Sequence, residues 1–304
     1  MKPRRSILSV PGHVKKMHVK SSAGDADIIM LDLEDSVPVD AKQEARRTVI
    51  SSIREIDWGG RAISVRINSL DTPFAWRDLT EVAREVGTRV DSIVVPKVNH
   101  PGDIHFVDRL LDGIELETRP SRPLTVEASI ETAEGLKAAP EIASASGRLI
   151  SLVFGIADYS ASVGARLVSI SGHGEKEEEI YPGHRWHFPL SRMIMAAKAS
   201  GLLAIDAPFG NFRDDEGLRR NAAMACAIGC DGKWAIHPAQ TAGINEIFSP
   251  SPEDIERARK VLAAADAALD AGRGAVAVDG RMVDQATVRL AAQLVAKARH
   301  LGMI

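Results

Sequence analysis

The residues best equipped for chemistry fall at the ends of short apolar runs. Asp32, Glu34 and Asp35 close one run, Arg66 and Asn68 the next, and Lys97 the one after. Further along, Glu127 and Glu131 flank the end of a run, Asp158 follows another, and Asp206 and His237 end the last two. The first run stops at Pro11-Gly12-His13. Carboxylates gathered at one place repel each other unless a proton or a cation neutralises them. Oxygen donors without a Cys or His ligand motif suit Mg2+ better than Zn2+. Mg2+ takes one or two carboxylates and leaves its other octahedral positions to water and substrate oxygens. Glu131 and Asp158, just past adjacent runs, are the expected ligands, with Mn2+ as the expected substitute. Arg66 is suited to hold a substrate carboxylate through two parallel hydrogen bonds. Simpler pairings stay open at this point: Asp35 with Arg66, Lys97 with Glu127, and His237 as a structural hydrogen-bonding group before Pro238.

These residues meet only if the runs are strands of one sheet. The runs recur at residues 7–10, 27–33, 62–67, 92–95, 124–130, 149–154, 202–205 and 233–236. Helix-like stretches lie between them, among them 41–55, 74–86, 103–111 and 216–228; Asp40 and Asp214-Asp215 supply helix-start signals. Strands alternating with helices predict parallel βαβ units, and eight of them predict a closed (β/α)8 TIM barrel over an open doubly wound sheet. In such barrels the chemistry sits at the carboxyl ends of the strands, where these polar residues fall.

The expected barrel spans residues 1–249, leaving 250–304 as a C-terminal extension. Ser251-Pro252-Glu253-Asp254 starts a helix running to about Gly272, Asp279-Gly280 turns a short hairpin, and a last helix covers 285–300. So small an appendage needs the barrel or another subunit to pack against. Residues 172–182, with four glutamates, are expected to form an exposed loop.

Composition narrows the classes further. The 304 residues are 45% hydrophobic and 26% charged, and 38 Lys and Arg against 41 Asp and Glu give a net charge of −3. That balance gives no reason to expect nucleic acid or an anionic membrane as partner. The expected location is cytoplasmic, since no run approaches a membrane span and the N-terminus lacks a secretory pattern. Cys226 and Cys230, at i,i+4 in an Ala-rich helical pattern, are expected to be packing residues.

Several segments carry a resemblance. They include Val10-Pro11-Gly12, Leu31-Asp32-Leu33-Glu34-Asp35-Ser36, Val65-Arg66-Ile67-Asn68, Val95-Pro96-Lys97-Val98 and Ile130-Glu131-Thr132-Ala133. Phe154-Gly155-Ile156-Ala157-Asp158-Tyr159, Gly232-Lys233-Trp234-Ala235-Ile236-His237-Pro238 and Asp279-Gly280-Arg281-Met282-Val283-Asp284 extend it over nearly the whole chain. The chain thereby resembles the citrate lyase β-subunit-like (HpcH/HpaI aldolase) superfamily, and within it the malyl-CoA lyases.

The resemblance implies an Mg2+-dependent carbon–carbon lyase acting on a 3-hydroxyacyl-CoA ester, with a 2-oxo acid as the other product. It implies Mg2+ on Glu131 and Asp158, with Glu34 and Asp35 beside the site without ligating. Arg66 is then expected at the substrate carbonyl and carboxylate, Ala157, Asp158, Ile236 and His237 against the ligand, and Lys20 at the coenzyme A phosphates. Asp284 matches an acid carried over a neighbouring subunit's active site, which makes the extension a lid and the protein a homotrimer or hexamer. Malyl-CoA is the first candidate substrate. Citramalyl-CoA and β-methylmalyl-CoA cleavage, and malyl-CoA thioester hydrolysis, are the alternatives. Ser9 stands where such lyases often carry an aromatic residue, and Val14 where they carry an Arg.

Overall fold

The computed structural model describes residues 2–166, 185–270, 276–278 and 280–304. The acidic loop expected at 172–182, together with residues 271–275 and Asp279, lies outside the described residues. The chain divides into two compact units, Lys2–Asn245 and Glu246–Ile304.

The first unit is a closed parallel barrel. Its strands are β1 (Ser6–Pro11), β2 (Ile28–Asp32), β3 (Ala62–Arg66), β4 (Ser92–Val95), β5 (Thr125–Ile130), β6 (Leu149–Phe154), β7 (Leu203–Asp206) and β8 (Gly232–Ala235). Each pairs with its successor, and β8 returns to β1 through Ser6–Lys233 to Leu8–Ala235. The helices around it are α1 (Lys15–Ser22), α2 (Lys42–Glu55), α3 (Ala75–Val86), α4 (Pro101–Thr118), α5 (Ala133–Lys137), α6 (Ala139–Ala143), α7 (Ile156–Ser162), α8 (His187–Ala199), α9 (Asp215–Ala227) and α10 (Thr241–Ile247). The TIM barrel expected from the sequence is the fold found.

Strand residues alternate between the barrel interior and the helix layer. Ile7, Ile28, Met30, Ala62, Val94, Val153, Ile205 and Trp234 form the apolar interior. Burying side chains of this kind contributes about 1.5–3 kcal/mol each. Strand β5 is different: its inward positions are Glu127 and Ser129. Glu127 was expected at the carboxyl end, with a pairing to Lys97 left open. It lies instead against Arg4, which precedes β1, at 2.6 Å, and also accepts bonds from Ser92 and Ser151. It belongs to the amino-terminal end of the barrel and leaves the opposite mouth to other acids.

Local signals held unevenly. Asp214 does cap α9, accepting the Gly217 N–H at 2.8 Å. Asp40 does not cap α2; it sits in a 3-10 turn, Val39–Ala41, that precedes the helix. Helix α9 stops at Ala227, so Cys230 lies beyond it, buried, with its thiol pKa raised by desolvation. Gly12 is required by close approach: its N–H donates to the Asp32 carbonyl at 2.8 Å, and a Cβ there would meet that oxygen at 2.6 Å. Buried His18 pins the same turn, with one ring nitrogen 3.0 Å from the Pro11 carbonyl and the other 2.8 Å from Ser52 Oγ.

The second unit holds α11 (Pro252–Asp270), an antiparallel hairpin of β9 (Val276–Val278) and β10 (Arg281–Val283), and α12 (Gln285–His300). Ser251 caps α11 by accepting the Asp254 N–H at 3.0 Å. Its small core is Ala258, Val261, Val283, Ala291 and Val295. Among the described residues no helix is long and apolar enough to cross a membrane.

Candidate active site

The loop after β2 is held from both sides. Asp32, fully buried, accepts the Glu34 N–H at 2.9 Å and both the N–H and hydroxyl of Ser36. From the outside, buried Lys42 on α2 donates to the carbonyls of Leu33 and Glu34 at 2.8 and 2.6 Å. Arg66, at the end of neighbouring β3, meets Asp32 in a bidentate pair, Nε to Oδ1 and Nη2 to Oδ2, both 2.7 Å. Burial alone would raise the Asp32 pKa; the charge and hydrogen bonds of Arg66 outweigh it and hold Asp32 at about 2. The remaining Nη1 of Arg66 lies 2.9 Å from Glu34 and 3.7 Å from Asp35, and the guanidinium stands over the Trp234 ring at 5.5 Å. The strand-end acid that orients Arg66 is thus Asp32, with Asp35 only at its edge.

Lys97 ties this group to the ends of β5 and β6. Its Nζ is 2.5 Å from Glu34, 3.5 Å from Asp35 and 3.8 Å from Asp158, so its partner is Glu34 and not Glu127. Its backbone N–H donates to Glu131 Oε1 at 2.6 Å. Glu131 is 3% exposed. Desolvation, with the negative charges of Glu34 and Asp158 nearby, pushes its pKa up to about 7 against the pull of Arg66. Gly155, at the end of β6, makes room for it: an added Cβ would run into the Glu131 carboxylate. Asp158 follows in the first turn of α7 and is partly exposed. The amides of Ala157 and Asp158, in that same turn, precede the first intrahelical bond, from Tyr159 N–H to the Gly155 carbonyl.

The other sequence-selected residues take different places. Asn68 turns to Asp78 on α3, which also receives Arg46 at 2.7 Å. Asp206 pairs at 2.5 Å with fully buried Lys233, which also reaches Asn221 on α9, so it faces the helix layer and not the mouth. Ile236 and His237, just after β8, give both backbone N–H groups to Gln240 Oε1. The exposed His237 ring caps the turn that follows through Ala239 N–H and stacks on Phe212 at 4.7 Å. Lys20 is exposed in the last turn of α1. Asp284 belongs to the second unit, where it caps α12.

Residues 5–238 match the model of the HpcH/HpaI aldolase/citrate lyase family. The chain belongs to that family. It is 41% identical to the L-malyl-CoA/beta-methylmalyl-CoA lyase of Cereibacter sphaeroides, over 99% of this chain and 96% of that one. It is 36% identical to a (3S)-malyl-CoA thioesterase of the same species, over 99% and 96%. Among solved structures, the CitE protein of Mycobacterium tuberculosis in complex with magnesium, acetoacetate and coenzyme A is similar with a TM-score of 0.78. Identity there is 29%, covering 98% of each chain. Within the family the chain falls with the malyl-CoA/β-methylmalyl-CoA lyase group, which makes it a carbon–carbon lyase acting on CoA esters.

The mouth fits a small, hard divalent cation. Asp32, Glu34, Asp35, Glu131 and Asp158 face two cationic side chains, Arg66 and Lys97, with Lys42 behind them on backbone carbonyls. Among the described residues no group of three or more acids, histidines or cysteines forms a ready protein cage. Two carboxylates with open positions suit Mg2+, which keeps water or substrate oxygens in its coordination shell. Desolvation and the charges of Glu34 and Asp158 raise the proton affinity of Glu131, and a bound cation would favour its anion.

Proposed function

We propose that the protein cleaves malyl-CoA to acetyl-CoA and glyoxylate, and runs the reverse condensation, with Glu131 and Asp158 holding Mg2+ or Mn2+. The observation that carries this reading is the meeting of Arg66, Glu131 and Asp158 at one barrel mouth, linked through Glu34 and Lys97. A bound divalent cation would supply Lewis-acid stabilisation to the substrate oxygen that changes charge as the C–C bond breaks. Arg66, pre-oriented by Asp32, directs its remaining N–H groups at the substrate carboxylate and the same oxygen. The Ala157 and Asp158 amides face the ligand from the first turn of α7, while Ile236 and His237 border it after β8. Lys20 binds a coenzyme A phosphate. In the cleavage direction the substrate hydroxyl gives its proton to solvent as the glyoxylate carbonyl forms, the C–C electron pair passes to the thioester as an enolate, and Asp284 delivers the proton that completes acetyl-CoA. In condensation Asp284, as carboxylate, removes that methyl proton.

Asp284 acts in this account from a neighbouring subunit of a homotrimer or hexamer, with residues 250–304 as a lid that keeps water from the enolate. Exposed Leu269, Met282 and Leu290 on the extension support a packing role for that segment. The 36% identity to a thioesterase favours one second reading, attack of water on the thioester of malyl-CoA. Citramalyl-CoA differs from malyl-CoA by one methyl, a discrimination of about 1–3 kcal/mol.

Mass spectrometry of products from malyl-CoA and from citramalyl-CoA, with Mg2+ and with EDTA, separates these readings. Acetyl-CoA with glyoxylate as the preferred, EDTA-sensitive outcome is expected. Acetyl-CoA with pyruvate as the preferred outcome would change the substrate, and free coenzyme A with malate would replace the lyase reading by hydrolysis.

A further inference from the structure

Lys97 is one of two non-glycine residues with positive φ among the described residues; the other, Arg119, ends α4 as an ordinary left-handed cap. At φ 51° Lys97 takes a conformation that side chains with a Cβ rarely adopt, and it does so directly after Pro96 at the end of β4. Two contacts depend on that bend. The peptide N–H points to Glu131 Oε1 at 2.6 Å, and the side chain carries Nζ to 2.5 Å from Glu34 Oε1 and 3.8 Å from Asp158 Oδ1. One residue therefore touches both proposed cation ligands and the nearest acid that is not one. Lys97 holds Glu34 by its Oε1, while Oε2 lies 2.9 Å from Arg66 Nη1 and accepts no hydrogen bond among the described residues.

We propose that Lys97 is a positioning residue that keeps Glu34 off the cation, so that the metal meets two carboxylates and leaves its other positions to water and substrate. The proposal rests on the assignment of the cation to Glu131 and Asp158. A flexible acid beside a divalent ion will ligate it unless another cation holds it, and each added protein ligand removes a position that substrate oxygens need. The ammonium also weakens cation binding by direct repulsion across the short gap to Asp158. Both effects have the same sign: without the Lys97 charge, the metal binds more tightly and is less available to substrate.

The test uses Mn2+ and metal-stripped, full-length protein, with free Mn2+ followed by electron paramagnetic resonance and bound water by proton relaxation. Lys97→Met is expected to bind Mn2+ roughly tenfold more tightly than wild type, with about one fewer exchangeable water. Lys97→Arg, which keeps the charge, is expected to stay near wild type. Glu34→Gln/Lys97→Met is expected to regain the wild-type water number, because the released ligand is gone. Unchanged or weaker Mn2+ binding in Lys97→Met overturns the proposal; a purely structural lysine gives that result. Should that variant not fold, Glu34→Gln decides alone: an unchanged water number is expected, and a gain of one shows that Glu34 already ligates the metal. Wild-type Mn2+ binding in Asp158→Ala would overturn the cation assignment itself, and is recognisable as that failure.

Discussion

Glu131 and Asp284 are both acids given chemical roles, yet their surroundings are opposite. Glu131 is enclosed at the end of a barrel strand, crowded by Glu34 and Asp158, and has its pKa pushed up to about 7 by desolvation and their charge. Asp284 is fully exposed at the start of α12, where the N–H and hydroxyl of Thr287 reach it at 2.8 and 2.9 Å and lower its pKa. The first environment favours neutralisation by a proton or a cation. The second already satisfies the carboxylate and makes it a weak base. The contrast teaches that the acid proposed to ligate the metal is preformed within one barrel, whereas the acid proposed to move a proton waits for other surroundings, which we propose come from a neighbouring subunit.

This contrast can be broken by substitution. Asp158→Ala, which removes a proposed metal ligand from the crowded side, is expected to lower kcat/KM by about a thousandfold, since Lewis-acid stabilisation contributes several kcal/mol. Steady-state kinetics with Mg2+ present would reveal normal turnover if the assignment were wrong. Asp284→Asn tests the exposed side. Asparagine still caps a helix, so the fold is spared while the proposed proton-transfer group is lost. A fall in kcat of about a hundredfold or more, with KM little changed, is expected. Unaltered kcat would eliminate Asp284 as the proton carrier.

Smaller effects sharpen the barrel side. Gly155→Ala should force a Cβ into the Glu131 carboxylate and destabilise the protein by about 1–3 kcal/mol, as overpacking does. A melting temperature equal to wild type would mean that Glu131 moves aside freely. Acid should act on Asp32 in a defined direction. Its folded pKa, about 2, lies below the usual carboxylate value, so its stabilisation is complete above about pH 4 and fades as pH falls toward 2. The contribution at stake is about 2 kcal/mol. Denaturant melts of wild type and Asp32→Asn between pH 5 and 2 check it; parallel losses in both would place the acid sensitivity elsewhere.

The barrel was legible because its strands are apolar on both faces and evenly punctuated, as in Ile28-Ile29-Met30-Leu31. Strand ends were placed within a residue or two, enough to gather Asp32, Glu34, Arg66, Lys97, Glu131 and Asp158. Direction was harder to see. Glu127 and Asp206 also lie on barrel strands, but one belongs to the far end of the interior with Arg4 and the other to the helix layer with Lys233. Period-two counting from Glu131 and from Ile205 could have separated them in level and face. The Glu34–Lys97 pair was hidden for another reason: it depends on the left-handed bend at Lys97, for which a lysine gives no sequence signal. Gly155 had a weak signal, a lone glycine between strand and helix, and His18 had none.

The most direct test of the central claim is to strip the protein of metal, add malyl-CoA, and follow glyoxylate while Mg2+ is returned, for wild type and Glu131→Gln. Saturable recovery in wild type and none in the variant is the predicted result. Full turnover by the stripped wild-type protein, or equal recovery in the variant, would contradict it.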